Sequence, residues 1–127
     1  MFSHVMLGSN DIAAAKRFYD AALGTLGTDE GVVDERGLLV YQYDGGRFVI
    51  TRPIDGGTAS SANSGTIGFL ASSPDTVDAW HAAGLAHGGT AIEDPPGPRN
   101  ATGGRVLYLA YLRDPAGNKL CATYRIK

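Results

Sequence analysis

Two side chains in this 127-residue sequence could do chemistry beyond packing. Cys121, the lone cysteine, lies in "DPAGNKLCATYR", and His4 lies in the opening "FSHVMLGS". A thiol becomes a nucleophile when a base or a positive neighbour lowers its pKa from about 8.5. An imidazole in contact with it would give a thiolate–imidazolium pair, the arrangement of cysteine-based catalysis. A His and a Cys could also hold zinc, but only with a third ligand. The bland alternative is equally physical, because a buried free cysteine usually behaves as a small hydrophobe. The choice depends on the elements that position these residues.

"FSHVMLGS" alternates as a short strand should, and "NDIAAAKRFYDAALG" follows with Ile12, Ala15, Phe18, Tyr19, Ala22 and Leu23 at helical spacing. Asn10 or Asp11 can cap that helix, and Gly24 can end it in a left-handed turn. Strands are expected over Thr28–Asp34, Leu38–Tyr43 and Arg47–Arg52, the last two joined by the turn "DGGR". The polar run "PIDGGTASSANSG" reads as a linker. The order then restarts. "GTIGFLAS" is a strand, and "SPDTVDAWHAAGLAHGG" a helix with Ser73 as cap, Pro74 first, and Val77, Trp80, Gly84 and Leu85 on one face. "TAIED", "GRVLYLAYLR" and "KLCATYRI" are the remaining strands.

The two halves correspond in detail. "SND" at 9–11 matches "SPD" at 73–75, and "GGRFVIT" at 45–51 matches "GNKLCAT" at 117–123. Such a repeat fixes the architecture. The predicted fold is α+β, one domain over 1–127 made of two paired βαβββ modules (1–54 and 65–127, linker 55–64). Neither module can bury much alone; paired, they form curved sheets around a central cavity.

The chain resembles the vicinal oxygen chelate superfamily of glyoxalase I, bleomycin-resistance proteins, fosfomycin-resistance enzymes and extradiol dioxygenases. The resemblance is carried by "SHVMLGSNDIAAAKRFYDAALGTLG", "GTIGFLASSPDTVDAWHAAGLAHGG" and "YLAYLRDPAGNKLCATY". In metal-dependent members, a His on the first strand and a Glu on the last strand of each half converge on one divalent ion. Carried over, the His places fall at His4 and Thr66, and the Glu places at Val49 and Cys121. Only His4 is a good donor, whereas a site of Fe, Mn or Ni type favours several imidazoles and carboxylates. The resemblance therefore implies a degenerate metal site with no cofactor expected. His81 and His87 lie on the second predicted helix, outside the cavity.

The repeat also places Val49 with Cys121 and His4 with Thr66, so these four are expected to converge on the cavity. Tyr108 and Tyr111 fall on opposite faces of one strand, because three positions separate them on a period of two. One of them then faces the cavity, and Tyr108 is placed there with Tyr41. The proline-rich loop "EDPPGPRNATGG", Glu93 to Gly104, could fold over the mouth and bring Arg99 to an anionic group.

A net charge of −2 with scattered basic residues argues against nucleic acid. No window approaches the roughly 20 apolar residues of a membrane span, and a single cysteine suits a reducing cytoplasm. Two functions fit. One is a metal-independent enzyme of glyoxalase-like lyase or dioxygenase ancestry, acting on a small carbonyl or thiol-adduct compound with His4 and Cys121 as catalytic groups. The other is a non-catalytic binding protein for an antibiotic or metabolite. The resemblance adds a homodimer to either.

Overall fold

The computed structural model describes Met1–Lys127. The first module runs β1 (His4–Gly8), α1 (Ile12–Gly24), β2 (Val32–Val33), β3 (Leu39–Tyr43) and β4 (Gly46–Thr51). Its sheet has the order β1-β4-β3-β2, with β1 parallel to β4 and the other pairs antiparallel. The second runs β5 (Ile67–Leu70), α2 (Pro74–Ala86), β6 (Thr90–Ala91), β7 (Gly97–Asn100), β8 (Val106–Arg113) and β9 (Lys119–Arg125). There β5 is parallel to β9, β9 pairs with β8, and both β6 and β7 line the far edge of β8. No helix or strand lies between Thr51 and Ile67. No helix is long and apolar enough to cross a membrane. The fold is α+β, with paired modules as expected.

Local chemistry explains the helices. Asp11, not Asn10, caps α1 by accepting the Ala14 N–H at 2.9 Å. Ser73 caps α2 through the Thr76 N–H, and Pro74 occupies the first turn, where an N–H would find no partner. The end of α1 departs from expectation. Thr25 continues in the right-handed region with its hydroxyl on the Ala22 carbonyl, and Gly27 takes the left-handed conformation (φ 93°) instead of Gly24.

The two helices pack against each other, and the core sits between them and one face of each sheet. Phe18, Tyr19, Ala22, Val77 and Trp80 meet Leu39, Phe48, Ile50, Leu112 and Leu120 there. Gly84 of α2 permits this approach, because a Cβ at that position would run into Leu112 and Phe18. Leu85, expected on the same face, is exposed. Strand alternation sends the remaining side chains to the outer faces, so Val49, Leu109 and Cys121 are buried outside the main core.

Two further segments differ from the sequence reading. β2 spans two residues rather than Thr28–Asp34, because the Gly31 N–H goes to Asp20 Oδ1 instead of a ladder. The segment Glu93–Gly104 is not all loop. It contains β7 and a short 3-10 turn at Thr102–Gly104. Pro98 is tolerated within β7 because this strand is an edge and needs no second ladder.

Candidate functional site

The internal repeat is exact in register. Met6 lies opposite Val49 in β1–β4, and Gly68 lies opposite Cys121 in β5–β9. His4 and Thr66 each stand two positions before those partners, so all four residues hold equivalent places in their modules. Equivalence is not proximity. Val49 and Cys121 belong to different sheets, and Thr66 is exposed ahead of β5. The cavity that His4 lines includes none of the other three.

That cavity has a volume of about 220 Å³ and lies where β1 and the β3–β4 hairpin of the first module meet β5 of the second. Phe48 and Phe69 join the modules there, edge to face with centroids 5.4 Å apart. Tyr41, Tyr43, Arg47 and Gly68 complete the part of the lining that carries chemistry. His4 accepts or donates at Nδ1 to Ser3 Oγ at 2.8 Å, and its Nε2 has no partner within the chain. Tyr41 turns its hydroxyl away to Asp20 Oδ1 at 2.8 Å; burial first, and then that carboxylate, push its pKa well above the ordinary range.

Cys121 stands elsewhere, on the outer face of the second sheet between Gly68 and Tyr111 as cross-strand neighbours. Its Sγ is 3.1 Å from Thr123 Oγ1 and donates weakly to the Ala122 carbonyl at 3.6 Å. No hydrogen bond joins it to His4. Burial pushes the thiol pKa up, and the Glu93 carboxylate adds to this against the opposing effects of Thr123, Tyr111 and Lys119. A thiol so placed is less nucleophilic at neutral pH than a free one.

The tyrosine assignment needs correcting. Tyr108 points to the helix side, where its hydroxyl donates to Asp78 of α2 at 2.8 Å and its ring packs on the core. Tyr111 is the one on the outer face beside Cys121. The Lys119 ammonium stands 4.8 Å from its ring centroid while ion-paired with Glu93. Sequence reasoning assigned no role to Lys119 or Thr123, although their alternation with Cys121 in "KLCAT" was the available signal. Arg99 does not reach the cavity. Its guanidinium folds back onto the carbonyls of Asp94 and Pro95, closing its own loop.

No three His, Cys, Asp or Glu side chains are arranged so that they could hold a metal ion. The donors of one chain therefore do not fit the divalent ion that the family resemblance implies, since a catalytic metal needs about three protein ligands.

The family model described as Glyoxalase/Bleomycin resistance protein/Dioxygenase superfamily matches residues 1–122. Among solved structures, a glyoxalase/bleomycin resistance protein from Albidiferax ferrireducens T118 is 54% identical. It has a TM-score of 0.94, with 98% of this chain and 99% of that one covered. A glyoxalase-related enzyme from Fulvimarina pelagi (20% identity, TM-score 0.72, 98% and 87% covered) shares the fold. So does a lactoylglutathione lyase from Agrobacterium tumefaciens (20% identity, TM-score 0.66, 98% and 92% covered). No curated protein matches the chain. With the whole fold and both modules accounted for, the chain belongs to the Glyoxalase/Bleomycin resistance protein/Dioxygenase superfamily.

Proposed function

We propose that this protein binds a small organic molecule in the cavity between its modules, without a resident divalent ion. One observation carries the reading: aromatic walls from both modules meet at a cavity while only one of the four metal-ligand places keeps a good donor. A concave, mostly apolar space with a few polar groups is the usual form of a small-molecule site. Exposed Met6 and Leu70 on the outer sheet faces support pairing of two copies, a homodimer that sedimentation equilibrium would detect.

Gly46 offers a clean test. It lines the cavity on the strand face of Phe48, and a Cβ there would meet only the Tyr43 carbonyl, at an ordinary 3.7 Å. Gly46→Leu should thus fill the cavity with little strain. Ligand-observed NMR of a fragment library should give saturable hits on the wild type that vanish in this variant. Hits unaffected by Gly46→Leu, or no hits at all, would remove the cavity from the account.

A catalytic reading draws support from His4, a residue of the cavity lining whose Nε2 has no partner within the chain and could accept a proton from a carbonyl substrate. It would be a metal-independent reaction, and Cys121 would take no part. Turnover abolished in His4→Gln with binding retained is the outcome this reading requires.

A further inference from the structure

Strand alternation sorts the cavity lining by face. In β4, Gly46, Phe48 and Ile50 share one face, and Arg47 and Val49 share the other. Phe48 stands opposite Val5 of β1 and Tyr41 of β3, so these three side chains form one row on the face turned to the helices. Gly46 and Tyr43 form the next row. Leu23 of α1 and Ile67 and Phe69 of β5 close the space from the other sides. Arg47, the one charged residue of the lining, points its guanidinium away from these rings, into a depression shared with Asp29, Glu30 and Asp34. The aromatic face thus carries neither a cation nor a carboxylate.

Polarity rises toward the mouth. Leu23, Tyr41 and Phe48 are buried at the inner end, whereas Tyr43 is 59% exposed. Tyr41 donates its hydroxyl to Asp20, but the Tyr43 hydroxyl has no partner within the chain. It stands at the turn after α1, 3.6 Å from where a Cβ of Gly27 would lie, and Thr28 follows directly in the lining.

Resting on the small-molecule reading above, we propose that the ligand is a neutral single-ring aromatic molecule with one polar group. Its ring lies against Phe48 and Phe69, and its polar group meets the Tyr43 hydroxyl at the mouth. Size agrees. The cavity of about 220 Å³ falls below the roughly 300–1,000 Å³ of sites for drug-sized molecules, yet an apolar cavity of about 150 Å³ suffices for benzene. Charge agrees too, because an ion taken into such a space without a counter-charge loses its hydration uncompensated. The rings of Phe48 and Phe69 already meet edge to face, the contact a third ring would extend.

The test is calorimetric titration of the wild type, Tyr43→Phe, Arg47→Gln and Gly46→Leu at neutral pH with benzyl alcohol, benzoate, toluene and cyclohexylmethanol. Benzyl alcohol should bind the wild type about tenfold or more tightly than benzoate, and more tightly than cyclohexylmethanol. Tyr43→Phe should weaken benzyl alcohol about two- to tenfold, the effect of one neutral hydrogen bond, and leave toluene unchanged. Arg47→Gln should change none of the four. Benzoate or cyclohexylmethanol binding as tightly as benzyl alcohol overturns the proposal; so does a Tyr43→Phe variant that binds benzyl alcohol normally, or an Arg47→Gln variant that binds it weakly. If benzoate binds best and Gly46→Leu excludes it, the ligand class is wrong but the cavity reading survives. If none of the four compounds and no fragment binds, both readings fall.

Discussion

The Tyr19 hydroxyl in α1 donates to Asp114 Oδ2 at 2.6 Å, joining residues 95 positions apart and fastening the first module to the second. Asp114 is 3% exposed, and its other contacts are the backbone N–H groups of Ala116 and Asn118 and the Asn118 side-chain amide. That amide also donates to the Gly8 carbonyl at the end of β1. A buried carboxylate is tolerable only when its oxygens are satisfied this fully. The turn "DPAGN" therefore serves as a clasp between modules, anchored at the end of β1 opposite its cavity-lining residues.

Tyr19→Phe removes one donor from that carboxylate and leaves the ring packing intact. The expected loss is about 1.5–3 kcal/mol, the range for a hydrogen bond to a charged group, read as a lower urea midpoint with an unchanged slope. A variant within a few tenths of a kcal/mol of wild type would mean that the clasp contributes nothing net.

Gly84→Ala tests the helix contact. The added methyl meets Leu112 and Phe18, both 0% exposed and without room to retreat. Overpacking of this kind costs about 1–3 kcal/mol, although alanine is otherwise the better helix former by up to about 1 kcal/mol. Chemical denaturation should therefore show destabilisation. A gain in stability would show that α1 and α2 can separate freely.

Acid should weaken the first module through Asp20. Burial alone would raise its pKa, but hydrogen bonds from Lys16, the Gly31 N–H and Tyr41 together hold it below the ordinary carboxylate value. A carboxylate depressed in the folded state stabilises above its unfolded pKa and loses that contribution as pH falls through the folded value. Stability of the wild type should thus decline more steeply below about pH 4 than that of Asp20→Asn. Because Asp20 is partly exposed, the difference should be small. Parallel pH profiles for the two proteins would remove Asp20 from the acid response.

Cys121 should be slow to react. Its burial and raised thiol pKa predict alkylation by iodoacetamide at neutral pH far below the rate of the denatured chain. Labelling followed by mass spectrometry reads this directly. Reaction faster than in denaturant would restore Cys121 as a nucleophile.

The sequence disclosed the repeat because "SND/SPD" and "GGRFVIT/GNKLCAT" reflect local requirements: a helix cap, a turn, and a strand with fixed alternation. Both helices and most strands followed from such signals. Period-two reasoning also separated Tyr108 from Tyr111, but it could not say which face met the helices; that depends on where Asp78 of α2 lies. β7 was hidden because prolines erase strand patterning, and only pairing with β8 creates the strand. The cavity was harder still. Symmetry placed Val49 and Cys121 in like positions, yet the packing of α1 on α2 decides which residues share a space, and those contacts are long-range. His4 lines that cavity, but its neighbours there come from the packing of the two modules and not from the repeat.

The measurement closest to the central claim is elemental analysis of protein prepared without chelators or tags, before and after dialysis against Ni, Zn, Mn and Fe, with His4→Ala in parallel. Less than about a tenth of an equivalent throughout is the predicted result, because one imidazole without two further donors cannot retain such an ion. About one equivalent held by the wild type and lost in His4→Ala would contradict the account and make metal-assisted chemistry the leading reading.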